Sequence, residues 1–201
     1  ILLFCLITNK FLWIYLLVVA SIISFFEFNI LIRKIYKKQL SKVFSFNIIS
    51  LIYLSFFIFT GYYYYNTANL LLILLICILS DTGGYIVGKS IGGKKLTKIS
   101  PNKTISGSFG SFLFSVFLII IFEKFTKITF ISNNIFNIYI LIYICLLLSL
   151  ICQLGDLFIS YFKRKAKIKD TGKILPGHGG LLDRIDGMIF VFPFFYLIKI
   201  I

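Results

Sequence analysis

Long apolar runs separated by short polar stretches dominate this chain. They fall near residues 11–32, 43–60, 69–88, 105–122, 135–162 and 187–201. Most approach the roughly 20 residues that a helix needs to cross about 30 Å of hydrocarbon. The runs are continuous rather than alternating, so they predict helices and not the strands of a β-barrel. The last run is short: a truncated helix, a less tilted one, or a helix that begins inside the preceding Gly-rich loop all fit it. The polar stretches alternate in character. Residues 33–42 hold Arg33, Lys34, Lys37, Lys38 and Lys42, and residues 61–68 hold no charge. Residues 89–104 hold Lys89, Lys94, Lys95, Lys98 and Lys103, whereas 123–134 hold only Glu123, Lys124 and Lys127. Residues 163–186 hold Lys163, Arg164, Lys165, Lys167, Lys169, Lys173 and Arg184. The bias of Lys and Arg toward the cytoplasm places the first, third and fifth stretches there, and six spans satisfy that alternation.

Composition agrees. Of 201 residues, 59% are hydrophobic and only 14% charged, with a mean hydropathy of +0.99. A soluble domain carries more charge, whereas lipid-facing helices need this apolar excess. The expected fold is all-α, a polytopic integral membrane helical bundle of about six spans. It forms a single membrane domain over 1–201, with no internal repeat and no dividing linker. The chain begins at Ile1 in the middle of an apolar run, so residues 1–8 read as the tail of an earlier helix and the sequence as an N-terminally truncated fragment. The net charge of +14 does not indicate a nucleic-acid partner, because the lysines fall between apolar runs. There they face anionic lipid, set topology, or meet a phosphorylated substrate. Cys5, Cys77, Cys145 and Cys152 lie inside apolar runs without a C-x-x-C pair, which argues against a zinc site and for small buried side chains.

Chemistry concentrates in the acidic residues. There are seven, and five sit in or beside two polar interruptions: Asp81-Thr82-Gly83-Gly84, and the stretch from Ser160 to Asp186 with Asp156 just upstream. Carboxylates near a bilayer are costly, and a cluster of them calls for a balancing charge such as a metal ion. Asp183 and Asp186, three apart, share one face of a helix. Asp156 lies roughly 10 Å below the interface marked by Lys163. Three oxygen donors converging there suit Mg²⁺, which keeps several waters and binds phosphates as well. Asp183 and Arg184 as a plain helix cap is the competing reading, but a cap does not explain Asp156 at that depth. Pro176-Gly177-His178-Gly179-Gly180 is too glycine-rich for a helix and suits close approach of backbone N–H groups to a phosphate; a flexible turn is the alternative. Lys163 and Arg164 lie within reach of Ser160 and Asp156, whereas Lys165 and Lys167 serve equally well as topology determinants. Asp81-Thr82-Gly83-Gly84 is expected to break the third span, with Asp81 functional and the glycines that follow packing a helix face. Ser100-Pro101-Asn102-Lys103-Thr104 opens the fourth span, as an anion-binding helix N-terminus or as a plain N-cap.

The run Ser160-x-x-Lys163-Arg164-x4-Lys169-Asp170-x-Gly172-x-x-Leu175-Pro176-Gly177-His178-Gly179-Gly180-x-x-Asp183-Arg184-x-Asp186 resembles the signature of CDP-diacylglycerol synthases, or phosphatidate cytidylyltransferases. Asp81-Thr82-Gly83-Gly84-Tyr85, Ser100-Pro101-x-Lys103-Thr104 and Gln153-x-Gly155-Asp156 are similar to further segments of that family. The resemblance covers roughly 80–190, the expected catalytic region. It implies transfer of a cytidylyl group from CTP to phosphatidic acid with Mg²⁺, and it leaves open a second, monovalent cation and a homodimer. It implies an integral protein of the bacterial inner (plasma) membrane with its active site facing the cytoplasm. It further implies that Asp156, Asp183 and Asp186 bind metal, that Lys163, Arg164 and Arg184 hold phosphates, and that Ser160, Gly177, His178, Gly179 and Gly180 shape the nucleotide site. Asp81, Lys103 and Asp170 complete the substrate set. His178 is not needed as a base, since phosphatidate is already anionic. Where the family commonly has Glu before Gly, this chain has Ser106 before Gly107. Two other activities rank below cytidylyl transfer. One is a CTP-dependent lipid-alcohol kinase, against which the long signature argues. The other is an ion or metabolite transporter with an intramembrane Asp site, against which the basic Gly-rich loop argues because it has no partner in the first half of the chain.

Overall fold

A computed structural model describes residues 9–65, 67–126, 135–172 and 179–200. Six helices follow one another: α1 (Lys10–Ile35), α2 (Leu40–Tyr63), α3 (Ala68–Ile91), α4 (Ile105–Thr126), α5 (Ile135–Lys165) and α6 (Leu182–Ile200). Five of them, α1 to α5, are long and apolar enough to cross a membrane. Only 22 to 44% of each such span is buried inside the protein, so most of its surface is left for lipid. The sixth helix carries Asp183, Arg184 and Asp186 in its first two turns, which interrupt its apolar character. Among the described residues there is no strand. An antiparallel bridge, Lys95 with Thr104, folds the loop between α3 and α4 into a small hairpin.

Side chains start these helices where water-facing N–H groups need partners. Asn9 accepts from the Phe11 N–H at 2.9 Å, and Thr67 from that of Leu70 at 3.4 Å. Thr104 accepts from the Gly107 N–H at 3.0 Å and so caps α4. Lys163, Arg164 and Lys165 fill the last turn of α5 and complement its dipole.

The helices pair as three hairpins, and α5 and α6 form the middle one. α1 and α2 pack on one side of it, α3 and α4 on the other. Glycine decides how close the α3–α4 pair comes. A Cβ on Gly83 would stand 2.7 Å from the Gly110 carbonyl oxygen, and one on Gly107 equally near that of Gly84. Backbones in such contact gain dispersion and polar contacts that lipid cannot replace. Consequently α3 runs unbroken through Asp81-Thr82-Gly83-Gly84. The expected break does not occur, because close packing on α4 offsets the poor helix propensity of the glycines. The expectation that the later glycines pack a helix face holds for Gly84 and Gly88, where a Cβ would meet Ser111 and Thr104, but not for Gly92, where it would meet nothing. At the C-terminus of α3, Gly92 and Gly93 adopt φ +65° and +105° to turn the chain out of the helix.

The three basic loops gather at one end of the bundle. Arg164 Nε donates to the Ile99 carbonyl at 3.0 Å, and Lys165 Nζ to the Tyr36 hydroxyl at 3.2 Å. That end holds every acidic side chain of the site described next.

Candidate active site

Three helices each deliver a carboxylate to one space. Asp81 comes from α3, Asp156 from α5 and Asp186 from the second turn of α6. A cavity of about 350 Å³ opens between them, and Asp183 also lines it. Lys103 reaches in from the α3–α4 hairpin, where Lys103 and Leu96 pair through the Leu96 N–H to Lys103 carbonyl bond of 2.8 Å. It forms an ion pair with Asp156. Lys163 pairs with Asp183 Oδ1 at 2.8 Å. Asp186, only 8% exposed, lies within hydrogen-bonding reach of Asp156 and within electrostatic reach of Asp81. Four ionised carboxylates against two ammoniums leave two negative charges uncompensated. Such a set needs a further cation or shared protons to be stable at low dielectric.

Ser108 and Gln153 are neutral groups of the wall, whereas Ser160 stands behind Asp156 and does not line the cavity. Ser160 donates to Asp156 Oδ1 at 3.3 Å. Gln153 accepts from the Ser108 hydroxyl at 2.5 Å, while its Nε2 is buried without a partner among the described residues. An unpaired amide on a polar cavity is a site for an incoming acceptor oxygen. Ser106, where the resembling family commonly has Glu, donates instead to the Gly92 carbonyl at the end of α3.

Asp183 has a different setting from its neighbours. Its Oδ1 is taken by Lys163, and its Oδ2 accepts from the Thr171 and Gly180 N–H groups at 2.9 and 3.2 Å. It therefore fastens the loop before α6 as well as lining the cavity. Gly179 sits beside it at φ +84°, a conformation that favours glycine. Gly180 has no room for a side chain: a Cβ there would overlap the Thr171 hydroxyl and Glu27.

The structure thus brings Asp81, Lys103, Asp156, Lys163, Asp183 and Asp186 to one cavity. Arg164 is not among its lining residues and ties α5 to the neighbouring loop. Asp170 and Arg184 are exposed. Gly177 and His178 lie outside the described residues. Sequence reasoning passed over Glu27, which is 2% exposed in α1 and binds the same loop. A lone carboxylate inside the apolar run 11–32 was the signal for it.

Among the described residues, no three His, Cys, Asp or Glu side chains close on one point as in a preformed metal cage. The donor set still fits Mg²⁺, which is commonly held by one or two carboxylates together with waters and substrate phosphates. The close Asp156–Asp186 pair, with its uncompensated charge, is of that kind.

Fold and cavity define an integral membrane protein with a carboxylate-rich, lysine-lined site at one end of its bundle. The chain belongs to the cytidylyltransferase family, which it matches over residues 1–201. It is 42% identical to a protein of Staphylococcus epidermidis named phosphatidate cytidylyltransferase, over 71% of this chain and 54% of that protein. A Staphylococcus aureus protein of the same name is 43% identical with the same coverage. A Bacillus subtilis protein of that name is 37% identical over 93% of this chain and 75% of its own length. The chain therefore spans about half the length of the staphylococcal relatives.

Proposed function

We propose that this chain carries the active site of a phosphatidate cytidylyltransferase, converting CTP and phosphatidic acid to CDP-diacylglycerol and pyrophosphate. The observation that carries this reading is the single cavity where Lys103 and Lys163 face Asp81, Asp156, Asp183 and Asp186. The ammoniums are placed to receive phosphate oxygens, and the carboxylates to share a cation with them. The names of the relatives and the family match support the same reaction.

The phosphatidate oxygen attacks the α-phosphorus of CTP in line, and pyrophosphate leaves with the bonding electron pair. Phosphatidate is anionic at neutral pH, so the protein needs no strong base. Its work is positioning and electrostatics. Asp156 and Asp186 would hold Mg²⁺, which when bound supplies charge neutralisation at the phosphates. Asp183 could join them only by giving up Lys163. Lys163 and Lys103, released toward phosphate, would exchange a carboxylate partner for a substrate one. Gln153 Nε2 offers a neutral donor. The lipid phosphate enters sideways from the membrane and CTP from the loop side. On this reading that side is cytoplasmic, in the inner membrane of a bacterium, and the basic character of the three loops supports the orientation. Nucleic acid is not a partner on this reading, since the basic residues are divided among interhelical loops.

The test supplies α-labelled CTP, phosphatidic acid and Mg²⁺ to the purified full-length protein, with and without chelator. A Mg²⁺-dependent labelled CDP-lipid is expected. Release of CDP on a lipid alcohol would assign a kinase instead, and absence of nucleotide turnover would remove the enzyme reading.

A further inference from the structure

Glu27 sits two turns before the end of α1, and α1 lines no part of the polar cavity. Its carboxylate nevertheless reaches the segment that carries Asp183 and Asp186. Oε2 accepts from the Thr171 hydroxyl at 2.8 Å and the Leu182 N–H at 2.9 Å. Oε1 accepts from the Leu181 N–H at 3.0 Å. The last two donors open α6 and belong to the N–H groups that no intrahelical carbonyl can satisfy. They also mark the positive end of the α6 dipole, which favours a carboxylate. Two glycines make room for it: a Cβ on Gly172 or on Gly180 would overlap the Glu27 carboxylate. Asp183 grips the same two stretches through the Thr171 and Gly180 N–H groups.

We propose that Glu27 is a positioning residue for the reaction: it clamps Thr171 to the first turn of α6 and so sets Asp183 and Asp186 at the cavity. This rests on the functional reading above. Glu27 touches no substrate and acts through backbone. The α1–α2 hairpin, which gives the cavity no side chain, is thereby joined to its chemistry. Replacing Glu27 by Gln keeps size and volume but turns one acceptor oxygen into a donor, leaving at least one of three donors unsatisfied.

The experiment compares wild type, Glu27→Gln, Thr171→Val and Thr171→Ser as full-length proteins in lipid nanodiscs. Amide hydrogen exchange over residues 170–184 is read beside steady-state kinetics. In Glu27→Gln, exchange at Thr171 and at 180–182 should quicken about tenfold, with α3 and α4 unchanged. Turnover should fall about tenfold or more, while KM for CTP stays within about threefold, as expected when geometry rather than binding is lost. Thr171→Val should show the same signature at smaller size, and Thr171→Ser, which keeps the hydroxyl, should match wild type. Wild-type exchange in Glu27→Gln overturns the clamp. Local loosening with wild-type turnover overturns the positioning role. If Glu27→Gln loosens every helix alike, Thr171→Val decides: unchanged exchange at 180–182 overturns the clamp. Should wild type form no CDP-lipid, the functional reading fails by itself, and the exchange comparison still decides the clamp.

Discussion

Asp156 and Asp186 meet in a setting where charge is expensive. Asp156 has Lys103 as its counter-ion, whereas Asp186 has the Gly187 N–H at 2.8 Å and otherwise faces Asp156 and Asp81. Asp186→Asn removes a like charge from that group. It should reduce cytidylyl transfer about a hundredfold or more, yet leave the thermal unfolding midpoint unchanged or raised, since repulsion is relieved. Turnover near wild type would remove Asp186 from the cation site. Lysines separate by location. Lys163 is partly buried against Asp183, whereas Lys165 is exposed and stacked near Tyr36 and Tyr161. Lys163→Ala leaves Asp183 uncompensated and should cost about tenfold or more in turnover. Lys165→Ala should stay within about twofold. Equal losses in a side-by-side assay would make the basic run a diffuse patch.

At the level of elements, the α5–α6 seam sets the distance between Asp156 and Asp186. It is built on glycine. A Cβ on Gly155 would stand 2.6 Å from the Phe190 ring, and one on Gly187 2.5 Å from Cys152 Sγ. Gly187→Ala should therefore push the helices apart, costing about 1–3 kcal/mol and most of the turnover. The obstacle is a thiol at the end of a side chain. Cys152→Ala in the same chain should recover much of both losses, giving a clear coupling in a double-mutant cycle by thermal unfolding and turnover. Additive losses would show that the seam is held elsewhere. The same logic explains why Asp81-Thr82-Gly83-Gly84 misleads as a sequence. Two adjacent glycines read as a break, but opposite Gly107 and Gly110 they are where two helices touch.

For the whole molecule, three hairpins bring three basic loops to one end. If that end is cytoplasmic, a cysteine replacing Lys94 should react with a membrane-impermeant thiol reagent only in inside-out vesicles. A cysteine replacing Tyr63, at the far end, should react only in right-side-out ones. The thiols of Cys77, Cys145 and Cys152 are buried, and Cys5, outside the described residues, is replaced by Ser for this assay. Reversed labelling would invert the assigned orientation and deny cytoplasmic CTP access to the cavity.

Length and apolar continuity by themselves determined the helices, because a bilayer leaves a chain of this composition no other way to satisfy its backbone. The carboxylates Asp81, Asp156, Asp183 and Asp186 were legible as a group, because acidic residues are rare here and each one needs a reason. What only the tertiary structure decided is which of them share a partner. Asp183 proved to be bound to Lys163 and to the loop, while Asp81 joined Asp156 and Asp186 across three helices. Arg164, adjacent to Lys163 in the chain, turned to the neighbouring loop instead of the cavity. Glu27 lay far from the signature in sequence and beside it in space. Spacing along one helix predicts a shared face, but contact between helices depends on how closely their backbones approach, and that was settled by glycines, which meet glycines between α3 and α4 and meet Phe190 and Cys152 between α5 and α6.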